Sequence, residues 1–474
     1  MHDKLKTFSR RKIPAVNRVL DALGHYELPR PLLVDVVRRE LSRLRAHAET
    51  PEFASIVDLV RGAIEQLRAS RLQPVINGTG IVIHTNFGRA PLAPEAIRAL
   101  REIGPGYSNL EYALISGERG HRATYIEKAL ALLCGGESAT IVNNCAAALV
   151  LIVRHFARTK SEIVISRGEM IQIGGGFRIG EIIEAASAKL REIGTTNKTT
   201  LDDYAKAIGP KTALILKVHR SNFFMSGFVE SPASTDIAAL ARKKRIPFVE
   251  DLGSGAIAAT EQFGIAEHEP TPPEALKDGA DLVCFSGDKL FGGPQAGIIA
   301  GKKRHVSALK REPLFRALRC DKLAFAALQA TVDLHLNQST PKIPALALLG
   351  ISNGQLRVRA GAIADRLQGL PAQIAIGRGK GKAGGGTLPK SGMPSVTIDI
   401  LPGNGSVAEF AATLRVSNPP VIGYITNELL KLDLRTIFPE QDDAVVNAIR
   451  AACASQDGRA RPPGAPSTND PAHR

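Results

Sequence analysis

Between Pro74 and Leu336, short runs of β-branched and aliphatic residues alternate with segments of helical periodicity, and this alternation limits the fold more than any other feature. The runs "ESATIVNN", "SEIVISRGEM", "TALILKVH", "IPFVEDLGSG", "DLVCFSGDK" and "AGIIAGKK" carry continuous apolar stretches. A strand reads this way when both its faces are covered, as in a parallel sheet flanked by helices. The expected class is α/β with a mainly parallel central sheet. Ligands of such sheets bind beyond the carboxyl ends of the strands. The polar residues that follow each run are therefore the ones to read for function.

On either side the texture changes. Residues 1–72 show apolar residues at three- and four-residue spacing in "LLVDVVRRELSRL" and "SIVDLVRGAIEQLRAS", which predicts a small helical domain ahead of a catalytic region over 73–340. Residues 341–454 read as a smaller α+β domain, with "PSVTIDILP", "VAEFAATLR" and "PPVIGYITNELLKLDLRTI" as its elements. Within it, "GRGKGKAGGG" is expected to be an exposed hairpin connection, with contact to phosphates as the alternative. The stretch 455–474, rich in Pro, Gly and charge, is expected to be a disordered tail.

Composition narrows the function classes. The net charge of +15 favours a polyanionic partner, against the plainer reading of a generally basic proteome. No apolar run approaches the roughly 18 to 20 residues of a membrane span, and the N-terminal "MHDKLKTFSRRKIPAV" has no apolar signal core. A cytoplasmic protein without a membrane partner is expected. Cys134, Cys145, Cys284, Cys320 and Cys453 are scattered with no CxxC pair, which supports neither a disulfide framework nor a metal site.

The strand ends carry the chemistry. "VEDLGSG" sets Asp251 at the tip of one strand, and "CFSGDK" sets Lys289 just past the tip of a later one. A lysine that forms a Schiff base and a carboxylate that keeps a pyridine nitrogen protonated are what pyridoxal phosphate requires. The plainer reading of the pair is a salt bridge at a sheet edge. Ser286 offers a hydroxyl to a phosphate, and the glycines of "GGPQAG" are expected to let backbone approach a flat cofactor. "VNNCAAAL" predicts a helix whose first turn, with Ala146 and Ala147, holds the phosphate through free N–H groups. Nucleotide hydrolysis and dehydrogenation are disfavoured: "GGGFRIGE" lacks a Lys-Ser/Thr ending, and no GxGxxG opens a helix after the first strand. Arg89, and Arg316 with Arg319 on one expected helical face, could form an anion site; surface charge is the alternative.

The stretches "VINGTGIVIHTNFGRAPL", "YSNLEYALISGERGHR", "ISRGEMIQIGGGFRI", "GTTNKT", "KVHRSNF", "VEDLGSG", "FSGDKLFGGPQAGII" and "RALRCDKL" resemble those of the bacterial selenocysteine synthases. These are fold-type I pyridoxal phosphate transferases that convert L-seryl-tRNA(Sec) to L-selenocysteinyl-tRNA(Sec) with selenophosphate. The resemblance implies that Lys289 carries the cofactor, Asp251 pairs with its ring nitrogen and Asp288 is a functional acid. It further implies that Arg89, Arg316 and Arg319 hold the selenium donor, and that serine is processed through an aminoacrylyl stage. It also implies that the N-terminal helical domain binds tRNA, and residues 1–72 hold 14 Lys and Arg against 9 Asp and Glu. A homo-oligomer is implied too, at least a dimer and by the bacterial pattern a pentamer of dimers. Four positions depart from that pattern: Cys145, Gln172, Arg220 and Tyr424. The competing expectation is a pyridoxal phosphate lyase of a small amino acid or phosphorylated amino sugar, which would have no need of the N-terminal domain. A third is a basic RNA-binding or scaffold protein with a vestigial cofactor site, against which Lys289, Asp251 and Ser286 argue.

Overall fold

The structure, a computed structural model, describes residues 13–46, 51–172 and 174–457. Three helices, Val16–Leu23, Arg30–Arg45 and Phe53–Ala69, open the described chain and enclose a core of their own around Val37, Leu41, Val60 and Ile64. Each presents an apolar stripe at helical spacing, so each buries one face against the other two.

The central sheet has seven strands. Their order across the sheet is Ser138–Val142, Gly297–Gly301, Leu282–Ser286, Phe248–Gly253, Thr212–Val218, Glu162–Ser166 and Lys189–Ile193. All the continuous apolar runs are strands. Val164, Ile215, Val283 and Ile298 point into one packed cluster, and Ile163, Leu214, Cys284 and Ile299 into another, so the sheet is covered on both faces. Gly297–Gly301 runs antiparallel to both of its neighbours, while the other adjacent pairs are parallel. Residues 287–296 are too few for the crossover of a dozen or more residues that a parallel return needs. Lys189–Ile193 was not among the apolar runs. It is an edge strand with several exposed side chains, and its "KLREI" carries the charges that such edges carry.

The C-terminal region is built on a four-stranded antiparallel sheet in the order Ala372–Gly381, Met393–Pro402, Leu429–Asp433 and Tyr424–Thr426. Helices Asn353–Arg366, Val407–Arg415 and Asp442–Asp457 contribute to the core behind it. The glycine-rich "GRGKGKAGGG" is corrected here: its first half belongs to the strand Ala372–Gly381. A Cβ on Gly377 would overlap the Asp399 carboxylate, and one on Gly379 would meet that of Asp433. Alternate glycines therefore leave room for two buried carboxylates, while Arg378 and Lys380 face solvent. The last helix continues to Asp457, and the rest of the expected tail lies outside the described residues. Among the described residues no helix is long and apolar enough to cross a membrane.

Candidate active site

Three strand ends and a helix N-terminus surround a cavity of about 650 Å³, within the range of small-molecule and cofactor sites. Asp251, Ser286, Asp288, Lys289, Cys145 and Ala146 all line it.

Asp251 is only 8% exposed at the end of its strand. The Gly253 N–H donates to its Oδ1 at 3.0 Å, and the Cys145 thiol lies 3.5 Å from the same oxygen. Burial pushes its pKa up, while the Lys289 charge and these hydrogen bonds oppose the rise. The sulfurs of Cys145 and Cys284 and a carboxylate oxygen of Asp251 all lie within 4.8 Å of one another. The hydrogen bond with Cys145, and then burial, raise the Cys284 thiol well above its ordinary range, so that it rests protonated.

Lys289 leaves the strand Leu282–Ser286 through a turn closed where the Gly293 N–H donates to the Gly287 carbonyl at 2.8 Å, and the Leu290 N–H ties it to the Ser254 carbonyl at 3.0 Å. Its Nζ lies in a cradle of glycines: a Cβ would sit 3.9 Å from it on Gly253 and 3.6 Å on Gly386. The second half of the glycine-rich run thus reaches the lysine from the C-terminal region. The glycines of "GGPQAG" do something else. Gly297 packs on the Asn144 backbone, Gly292 on Ile343 and Gly293 on Phe291 and Thr331, so they serve protein packing rather than cofactor approach.

Helix Cys145–Phe156 begins with Asn144 as its cap, whose side chain accepts from the Ala147 N–H at 2.8 Å. Ala147 is thereby committed to the cap. The N–H groups of Cys145 and Ala146, in the helix's first turn, have no carbonyl partner within the helix, and both residues line the cavity.

Asp288 is buried and pairs with Arg89, 199 positions away, at 2.6 Å between Oδ2 and Nη1. Arg89 holds a left-handed backbone (φ 67°), uncommon for a residue with a side chain. Arg316 and Arg319 do not line this cavity in the single chain. The expectation that they share a helical face is corrected: the helix Pro313–Ala317 stops before Arg319, whose Nη1 lies 3.6 Å from Glu111.

Sequence reasoning from strand ends passed over His219 and Asn222, which also line the cavity. The signal was present, since His219 directly follows the apolar run "TALILKV" and Asn222 comes three residues later. His219 Nε2 lies 3.1 Å from Glu269 Oε1, and Glu269 is 1% exposed. Behind this wall Glu169 accepts the Val218 N–H at 3.1 Å, and burial raises its pKa to about 7.

Residues 75–438 match the family described as L-seryl-tRNA selenium transferase. The chain belongs to this family. The L-seryl-tRNA(Sec) selenium transferase of Carboxydothermus hydrogenoformans is 44% identical over 448 residues, covering 91% of this chain and 95% of that one. That of Geobacter sulfurreducens is 41% identical, covering 93% and 98%. Among solved structures, a D-glucosaminate-6-phosphate ammonia-lyase superposes with a TM-score of 0.54 at 20% identity, covering 83% of this chain and 99% of that one. That likeness carries the fold alone. The fold is that of the fold-type I pyridoxal phosphate enzymes, and the family implies this cofactor. The cavity fits it: a buried carboxylate, a lysine in a glycine cradle, and a helix N-terminus beside a serine hydroxyl converge on one space.

Proposed function

We propose that this selenium transferase family member converts L-seryl-tRNA(Sec) to L-selenocysteinyl-tRNA(Sec), with selenophosphate as the selenium donor and pyridoxal phosphate held at Lys289. The observation that carries the reading is the meeting of Asp251 and Lys289 in one cavity, where the Lys289 charge favours the ionised form of the buried Asp251 carboxyl. Near-full-length identity with selenium transferases favours this reading over a small-molecule lyase.

Asp251 would hold the ring nitrogen and Lys289 would carry the cofactor covalently. The first-turn N–H groups of Cys145 and Ala146 and the Ser286 hydroxyl would hold its phosphate. Bound pyridoxal phosphate supplies the electron sink that lets the seryl α-proton leave and the β-hydroxyl depart as water. Lys289, once its amine is free, is the base placed to take that proton. Arg89, with one N–H committed to Asp288, turns its remaining donors toward the anionic selenium donor, and Asp288 fixes its fork. Arg316 and Arg319 would reach the donor only across a subunit contact. This agrees with a homo-oligomer of at least dimeric size, with a pentamer of dimers as the fuller proposal. The basic N-terminal helices would bind the tRNA body, and the cytoplasm is the proposed location.

The test incubates the protein with seryl-tRNA(Sec) and selenophosphate and follows the aminoacyl product by mass, beside Lys289→Ala. Lysine-dependent conversion is expected. A protein that shows the cofactor's absorbance but leaves seryl-tRNA(Sec) unchanged would overturn the reading.

A further inference from the structure

A cavity of about 1050 Å³ adjoins the catalytic one and has no role in the chemistry above. The two share their walls. His219 lines both; after it, Ser221 and Asn222 face the catalytic side, while Phe224 and Met225 face the larger space. Gly385 and Gly386 likewise line the catalytic cavity, and residues 389–394, from the end of the same loop into the strand Met393–Pro402, line the larger one.

Its lining is aromatic and cationic. Phe224 is 52% exposed, and the Lys390 ammonium lies 5.8 Å from its ring centroid. Phe263 adds a second ring and Arg220 a second cation, whose charge also acts on the buried Glu169. Arg435, 3% exposed, spends its terminal nitrogens on the carbonyls of Leu348, Leu349 and Pro394, which leaves its Nε without a partner among the described residues. The acidic groups nearby are engaged. Glu267 accepts from the Lys390 N–H and the Ser391 hydroxyl, and His268 lies between Glu261 and Glu274.

We propose that this cavity receives the single-stranded 3′ end of the aminoacyl-tRNA. Terminal bases would stack on Phe224 and Phe263, and the backbone phosphates would meet Arg220 and Lys390. The inference rests on the seryl-tRNA reading of the catalytic site. A seryl ester joined to a terminal ribose, with its serine at Lys289, would put the nucleotide beyond the catalytic cavity, and the larger cavity adjoins it at His219. Aromatic faces interleaved with cations are how proteins hold single-stranded nucleic acid without reading base edges. In this chain Arg220, one of the departures from the family pattern, supplies part of that charge.

Two measurements test it with the full-length protein. Phe224→Ala and Arg220→Thr should each raise KM for seryl-tRNA(Sec) about fivefold or more, with kcat and cofactor absorbance retained. Removing the 3′-terminal nucleotides from uncharged tRNA should weaken its binding to the parent protein but not to Phe224→Ala. Unchanged KM in both variants, or a parent protein indifferent to trimming, would overturn the proposal. So would a change of oligomeric state in Phe224→Ala with KM retained, which would assign this face to a second copy of the chain. If the parent protein fails to convert seryl-tRNA(Sec) yet remains sensitive to trimming, the catalytic reading falls and the 3′-end site stands.

Discussion

Replacing Asp251 by Asn isolates the charge on which the catalytic assignment depends. The change is nearly isosteric, so the Gly253 N–H can still donate to an oxygen at the Oδ1 position, 3.0 Å away. What is lost is a negative charge at a site 8% exposed to solvent, facing the Lys289 charge and the proposed place of a protonated ring nitrogen. Removing one preorganised electrostatic partner of a reacting group costs about 2.7–4 kcal/mol of barrier. At about 1.4 kcal/mol per tenfold, that corresponds to a fall in kcat of roughly two to three orders of magnitude. Turnover of seryl-tRNA(Sec) would be followed together with cofactor content from absorbance, so that poor loading is separated from slow chemistry. Cys145→Ala is the contrast. A thiol is a weak donor and lies 3.5 Å from the carboxylate, so its loss should cost less than about tenfold. An Asp251→Asn protein that keeps its cofactor and turns over within about threefold of the parent would refute the argument that this carboxylate charge matters.

Two further predictions concern stability. Gly377→Ala places a methyl on the Asp399 carboxylate, which pairs with Lys431 in the buried sheet, and should cost about 1–3 kcal/mol of overpacking, or more if the pair breaks. A fall in the denaturant midpoint measures it; an unchanged midpoint would show that the alternating glycines are dispensable. Glu169, raised by burial from an ordinary 4.5 to about 7, binds more protons folded than unfolded between those values. Its stabilising contribution is full below about 4.5 and is lost as pH rises toward 7, a swing of about 3 kcal/mol. Glu169→Gln should remove that slope from the pH dependence of unfolding, and the same slope in both proteins would contradict the assignment.

Arg89 and Asp288 show where local reading stops. Each was recognisable as a candidate, yet nothing in the neighbourhood of either says that they form one ion pair, because 199 positions separate them. Arg316 and Arg319 show the opposite failure. Three-residue spacing implies a shared face only while a helix lasts, and this one ends at Ala317. The glycine-rich run read as a loop because its composition resembles one. Its period-two alternation of Gly with Arg and Lys was the overlooked strand signal, and the carboxylates that require those glycines come from other strands.

What the sequence determined by itself was the parallel core and the strand-end chemistry. Strands buried on both faces must be apolar throughout, and a lysine or carboxylate directly after such a run must lie where ligands bind. The tertiary structure decided the reversal of Gly297–Gly301, the glycine cradle around Lys289 and the cavity beside His219. The reversal follows from the short link 287–296, while the cradle and the cavity bring together segments distant in the chain, through packing that no local pattern of residues records.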